Sequence, residues 1–384
     1  MKRIAFCLTL IIVALYSCTS GVSRKSQDGA DTLRLSYSRL LNIVEHEGYN
    51  VVEIANPWKK GEVLHRYVLV SNPDCPHLPE GTIINVPVKN AVVFTTVHAS
   101  LMADLGIKER ISGMADVEYV KRPEIKSLVS SNKIANVGSS MSPNVEKIIE
   151  LSPDIILLSP FENSGGYGRL DQIGIPIIEC ADYMEVSPLA RAEWIKFYGM
   201  LFGADGQADG IFNDVEAHYK TLAKEANSFG SHPTVMVDFP SGNTWYVPGG
   251  KSTIGQMIAD AGGRYCFADD DNGGSVALSL EKVVSQCENA DLWLFRYGGE
   301  EKSLNSISND YKVFSHIKAF SEGNVYGCST ERTTFYESTP FHPDRLLEDF
   351  IAMFHPQTKR QPTYFKKVKW RKSVCSSYLP YYYS

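Results

Sequence analysis

The 384-residue chain has no Cys-x-x-Cys pair, no Gly-x-Ser-x-Gly elbow, no His-Glu-x-x-His and no Cys–His–Asn set. The first absence removes zinc-ribbon and thioredoxin-type readings. The others leave hydrolytic and nucleophilic catalysis without a motif, so nothing points to an enzyme. Positive charge is also scarce. The net charge is −6, and no Lys/Arg cluster with interleaved aromatics occurs before the last residues, so nucleic acid is not an expected partner. Past Tyr16 no apolar run is long enough to cross a bilayer. Two near-motifs fail on inspection. Gly249-Gly250-Lys251-Ser252 has Trp245 where a phosphate loop needs its first glycine. Asp269–Gly273 lacks the spacing and distal glutamate of a calcium loop.

What is present is a globular composition, 43% apolar and 21% charged, at a length that suits two domains. Lys2 and Arg3 precede the short apolar run Ile4–Tyr16, which reads as a secretory leader. Its end, Leu15-Tyr16-Ser17-Cys18, resembles a bacterial lipobox. That resemblance implies a signal over residues 1–18, lipidation at Cys18, and a place in the periplasm or cell envelope. Residues 19–34 then read as a flexible tether. Of eight cysteines, Cys7 lies in the leader and Cys18 would carry lipid, leaving six. Six allow 15 pairings, and buried free thiols are expected among them.

The stretch from Ser187 to Phe229 has no strand signal. Ser187-Pro188 is a helix start, and Ile211, Val215, Tyr219, Leu222 and Ala226 recur at helical spacing. On both sides strands alternate with helices: Val92–Thr96, Ile111–Met114, Ile155–Leu158 and Ile175–Ile178 before it, Thr234–Phe239, Asp291–Phe295 and Asn324–Tyr326 after it. The expected fold is α/β, two lobes with mainly parallel sheets joined by a rigid long α-helix. The lobes are placed at 35–186, with an edge hairpin from Asn50–Ala55 and Val63–Val70, and at 230–356. Residues 187–229 link them, and 357–384 form a basic, aromatic, peripheral tail.

One phrase occurs in both halves: PNVEKIIELSPDIILL in the first and LSLEKVVSQCENADLWLF in the second. It places Glu146 and Glu281 in the first turns of two helices, where a carboxylate suits the dipole. One exposed carboxylate per lobe also offers a symmetric partner two sites for arginine. These segments, with VVFTTVHASLMADLGIKERISGM and WYVPGGKSTIGQMIADAGG, resemble ABC-importer substrate-binding proteins for iron–siderophore complexes, haem and cobalamin. The resemblance runs from about Val88 to Phe354. It implies the class III periplasmic-binding-protein fold, a cleft that closes little, and docking of Glu146 and Glu281 on a permease dimer. It implies no resident cofactor.

Ligands of open α/β sheets sit at the carboxyl ends of strands. On that logic Thr95, Thr96, His98, Tyr119, Phe161 and Tyr167 face the cleft from the first lobe. Trp245, Tyr246, Arg332 and Tyr336 face it from the second. Aromatics suit a large planar or partly apolar guest, and arginine suits its carboxylates. Cobalamin-binding members place tryptophans in three loops where this chain has Ser140, Ser159 and Ser275. The alternative reading keeps the fold and exchanges the guest for a free transition-metal ion, held by His98 and His342.

Overall fold

A computed structural model describes residues 31–33, 35–162 and 166–370; the leader, Cys18 and Cys375 lie outside them. Strands β1 (Asp31–Leu33), β2 (Leu41–His46), β3 (Tyr49–Ala55), β4 (Val63–Val70) and β5 (Thr82–Asn85) form one sheet in that order. The expected hairpin is its centre, β3 against β4. Strand β1 corrects the tether, because Asp31–Leu33 pairs with β2 instead of running free. The rest of the tether lies outside the described residues.

The first lobe is built on β6 (Ala91–Val93), β7 (Ile111–Met114), β8 (Ala135–Asn136), β11 (Ile155–Leu158) and β12 (Ile177–Glu179). A small hairpin, β9 (Gly138–Ser139) and β10 (Ser142–Pro143), projects between them. The sheet order is β12-β11-β6-β7-β8, parallel throughout. Helices α1 (Thr96–Asp104), α2 (Pro123–Ser130) and α3 (Val145–Leu151) connect it. Every residue of β6 and β11 is buried, as strands covered on both faces must be.

Three helices follow: α4 (Pro188–Glu193), α5 (Ile195–Phe202) and α6 (Asp205–Ala226). Pro188 opens α4, but the Ser187 hydroxyl makes no capping bond. Gly203 ends α5 in the left-handed region at φ +60°, and a Cβ there would come within 3.0 Å of Pro87. The 22 residues of α6 span about 33 Å. Its buried face is Ala208, Phe212, Val215, Tyr219, Leu222 and Ala226, one residue away from the expected stripe at its start.

The second lobe contains β13 (Thr234–Val237), β14 (Thr244–Pro248), β15 (Arg264–Tyr265), β16 (Ser275–Ser279), β17 (Leu292–Tyr297), β18 (Val325–Ser329) and β19 (Lys366–Lys367). Its main sheet runs β15-β13-β17-β18-β19, and β14 pairs with β16 separately. Helices α7 (Thr253–Asp260), α8 (Leu280–Cys287), α9 (Leu304–Asp310), α10 (Lys318–Ser321), α11 (Phe335–Ser338) and α12 (Pro343–Phe354) cover it. The tail is not wholly peripheral. Tyr364, Phe365 and Val368 are buried, and β19 closes the sheet antiparallel to β18.

One apolar core runs from Ile43 and Ile54 in the first sheet through Phe197, Phe202 and Phe212 in the linking helices. It continues to Val235, Leu294 and Phe350 in the second lobe. The rod between the lobes is therefore packed along its length, and that packing holds their separation. The N-terminal segment is tied to the same helices. Glu193 accepts backbone N–H bonds from Ser36, Tyr37 and Ser38 at 2.7–2.9 Å, and Glu185 accepts from Arg39 and Leu40 at 3.1 Å. All five described cysteines are free thiols, and Cys180, Cys287 and Cys328 are buried.

Candidate functional site: a cleft between two lobes

Loops at the carboxyl ends of β6, β7 and β11 enclose a cavity of about 520 Å³. Phe94 and Thr95 lead out of β6. Thr95 caps α1 by accepting from the His98 N–H, which turns the chain so that Thr96 faces the cavity. Asp116 follows β7 in the left-handed region at φ 53°, and Tyr119 closes that turn. Met141, at the tip of the β9–β10 hairpin, and Phe161, after β11, form the outer walls. Tyr167 and Leu170 complete the floor. The lining is mainly apolar.

A second cavity of about 290 Å³ adjoins the first, since Thr96 and Tyr119 line both. Its other wall is the second lobe: Thr330, Glu331, Thr333, Tyr336 and Glu337. Together they make one cleft. Tyr119, Met141, Phe161 and Tyr336 are half or more exposed around it, with Met141 at 84%. Large apolar side chains gathered unburied around a concavity are typical of binding grooves, because water is a poor partner for them.

Tyr167 is held from behind. Its hydroxyl donates to Glu179 Oε1 at 2.6 Å, and its backbone N–H donates to Asp171 at 2.6 Å. Burial, together with the neighbouring Glu179 carboxylate, pushes the phenol well above its ordinary pKa, so it stays a donor. Glu179 Oε2 lies 3.0 Å from His65 Nδ1, and His65 Nε2 lies 2.7 Å from Thr82 Oγ1. The first sheet thus reaches the cleft wall through a chain of hydrogen bonds.

The lobes also touch beneath the cleft, where α1 packs against α11. His98 does not line the cleft. It is buried, with Nε2 3.0 Å from Asp182 and 3.1 Å from the Tyr198 hydroxyl, and Phe341 of the second lobe packs on both rings. Burial alone would discharge this imidazole; the Cys180 sulfur and the Asp182 carboxylate outweigh it and raise the pKa to about 10. Arg191 donates to the other Asp182 oxygen at 3.0 Å. Nearby, Asp104 takes an Arg122 bond at 2.6 Å and lies 3.2 Å from His342. The Lys121 N–H donates to Glu337 at 2.7 Å.

Of the residues singled out in the sequence, Thr96, Tyr119, Phe161, Tyr167 and Tyr336 meet in the cleft. Trp245 is corrected along with His98. It is fully buried, donating to the Val237 carbonyl at 3.2 Å inside an aromatic cluster with Trp293 and Phe314. On β14 it is the neighbour, Tyr246, that points outward, and Tyr246 lines neither cavity. Arg332 is exposed and 3.7 Å from Glu301, on the loop beside the second cavity. Phe94, Asp116, Met141 and Leu170 line the site without having been anticipated. Met141 was the findable one, an apolar residue in a serine-rich turn.

Glu146 and Glu281 sit in the first turns of α3 and α8 behind the caps Asn144 and Ser279, and both are exposed. Glu146 pairs with Arg169 at 2.7 Å. His98 and His342 are each committed to an aspartate, and no group of three metal-ligating side chains converges among the described residues.

A family model described as periplasmic binding protein matches residues 92–331. An uncharacterized lipoprotein of Methanocaldococcus jannaschii is 28% identical over 363 residues, covering 89% of this chain and 88% of the relative. Among solved structures, a periplasmic heme binding protein from Pseudomonas aeruginosa superposes with a TM-score of 0.58 at 14% identity, covering 74% of this chain and 99% of that one. Staphylococcus aureus IsdE complexed with heme gives 0.55 at 18%, covering 69% and 98%. At these identities the structural likeness is one of fold.

Proposed function

The chain belongs to the periplasmic binding protein family, and on that premise we propose that it is a lipid-anchored receptor delivering an iron complex or cobalamin to an ABC importer. The iron complex would be a siderophore or haem. The single observation that carries this is the aromatic cleft shared by the two lobes, about 520 Å³ with a 290 Å³ extension. That volume suits a bulky guest and is far more than a bare metal ion needs. The binding of haem by the two structural neighbours supports the same class. Tyr119, Phe161, Tyr167 and Tyr336 stack on or edge the guest, and Thr96 supplies a hydroxyl. Tyr246 and Arg332 stand outside this contact set. The floor of buried bonds between α1, α11 and the linking helices favours a cleft that closes little.

Delivery rests on Glu146 and Glu281 meeting arginines of a permease dimer, one per lobe, and the anchor rests on Cys18. The role is carriage, not catalysis. The test has two arms. Calorimetric titration with haemin, a ferric hydroxamate siderophore and cyanocobalamin should give tight binding for one of them, weakened about tenfold or more by Tyr119→Ala. Reversing both glutamates to lysine should abolish uptake of that compound and leave its binding intact. Failure of all three titrations overturns the ligand class, and uptake surviving the double reversal overturns the docking.

A further inference from the structure

The chain is acidic overall, yet one face of the second lobe is strongly basic. A groove of about 810 Å³ runs along β19, and the part of its lining from Ala352 to Lys369 lies beyond the segment that the family model matches. Lys302, Lys359, Arg360, Lys366, Lys367 and Lys369 line it, against a single carboxylate, Glu301. Arg360 is already bridged to Glu225 and Glu348. The five lysines have no ion pair among the described residues. Lys366, Lys367 and Lys369 are exposed, and Val368 is buried between the last two, so Lys367 and Lys369 fall on the face opposite Val368 while Lys366 is exposed at the start of this two-residue edge strand.

Crowding ammonium groups on an edge strand blunts that edge against pairing with another chain, and that is the bland explanation. It does not account for Trp370. This indole follows directly and is 53% exposed, packing one edge on Phe320. In sequence the stretch continues with Arg371, Lys372, Tyr378 and Tyr381–Tyr383. A cluster of lysines and arginines joined to tryptophan and tyrosine has the composition of a segment that rests at a bilayer surface.

We propose that this groove and Trp370 form a docking face for the phosphate headgroups of an anionic bilayer. The lysines take the phosphates and the indole enters the headgroup layer. The contact is independent of what the cleft binds, and it would orient the protein on the membrane rather than attach it, which the acyl chain read at Cys18 would do.

The test uses the full chain with Cys18→Ser in every sample, so that no acyl group enters the comparison and residues 1–17 are common to all. Binding is measured by flotation with vesicles of phosphatidylcholine alone and of phosphatidylcholine with phosphatidylglycerol. Each lysine is worth about fivefold near an anionic surface, so Lys366→Ala, Lys367→Ala and Lys369→Ala together should weaken binding about 100-fold on anionic vesicles and leave neutral ones unchanged. Lys359→Ala, off the edge strand, should cost about fivefold and guards against a local folding defect. Brominated lipid should quench the fluorescence lost in Trp370→Phe. Equal binding to both vesicle types, or no loss in the lysine variants, overturns the proposal. So does displacement by millimolar inorganic phosphate at constant ionic strength, which would make this a site for a soluble anion.

Discussion

Tyr167 presents its ring to the cleft because its hydroxyl is held at 2.6 Å by Glu179, which is itself buried and hydrogen-bonded to His65. A hydrogen bond from a neutral phenol to a carboxylate is worth about 1.5–3 kcal/mol when water is largely excluded. Tyr167 is only partly buried, so the lower figure applies. Tyr167→Phe and Glu179→Gln should each cost about 1.5 kcal/mol in urea unfolding, and the double variant should cost little more than either. The coupling recovered from the cycle is then about 1 kcal/mol or more. The same pair of variants should weaken ligand binding up to about tenfold, since a ring free to rotate must be ordered again on binding. His65→Ala should move in the same direction although it lies on β4, in a sheet that has no contact with the cavity of its own. Additive losses within about 0.5 kcal/mol, or unchanged affinity in all three variants, would refute the idea that the first sheet steadies the cleft wall.

Other outcomes follow from the buried polar contacts. Glu193→Ala strips the acceptor from three backbone N–H groups at the start of the first sheet and should destabilise the chain by about 2–4 kcal/mol, with amide exchange rising first at residues 36–38. Burial raises the Asp104 carboxyl, but His342 and Arg122 outweigh it and hold the pKa below the ordinary aspartate value. A depressed carboxylate gives stability that is complete above its unfolded pKa and is lost as the pH falls through the folded one. Asp104→Asn should therefore cost about 1–3 kcal/mol near neutrality, and the difference from the parent chain should vanish in strong acid; a gap that persists there would contradict the assignment. Asp182→Ala leaves Arg191 and His98 facing each other without their shared carboxylate and should cost about 3–5 kcal/mol by thermal unfolding.

The alternation of buried strands with helices was enough to determine the class of fold. Ile155–Leu158, too apolar for a half-exposed strand, is the interior parallel strand β11, and Pro343–Phe354 is a helix over the same residues. The rule that loops at strand carboxyl ends build sites put Thr96, Tyr119, Phe161 and Tyr167 around one cavity, because that rule depends only on chain direction in a parallel sheet. His98 and Trp245 escaped it for a reason the local chain does not contain. A histidine reads as polar, and what makes its burial tolerable is Asp182, 84 positions away, with Tyr198, 100 positions away. On β14 the period of two says that Trp245 and Tyr246 face opposite ways. Which of them faces in depends on the cluster of Trp293 and Phe314 waiting on one side. The edge strand β19 likewise exists only because β18, remote in sequence, leaves an edge free to pair. Periodicity and strand direction are properties of the chain, so the sequence determined the two-lobed frame and the loops that face its cleft. Which side chain fills a given space is a property of its neighbours, and only the tertiary structure decided that.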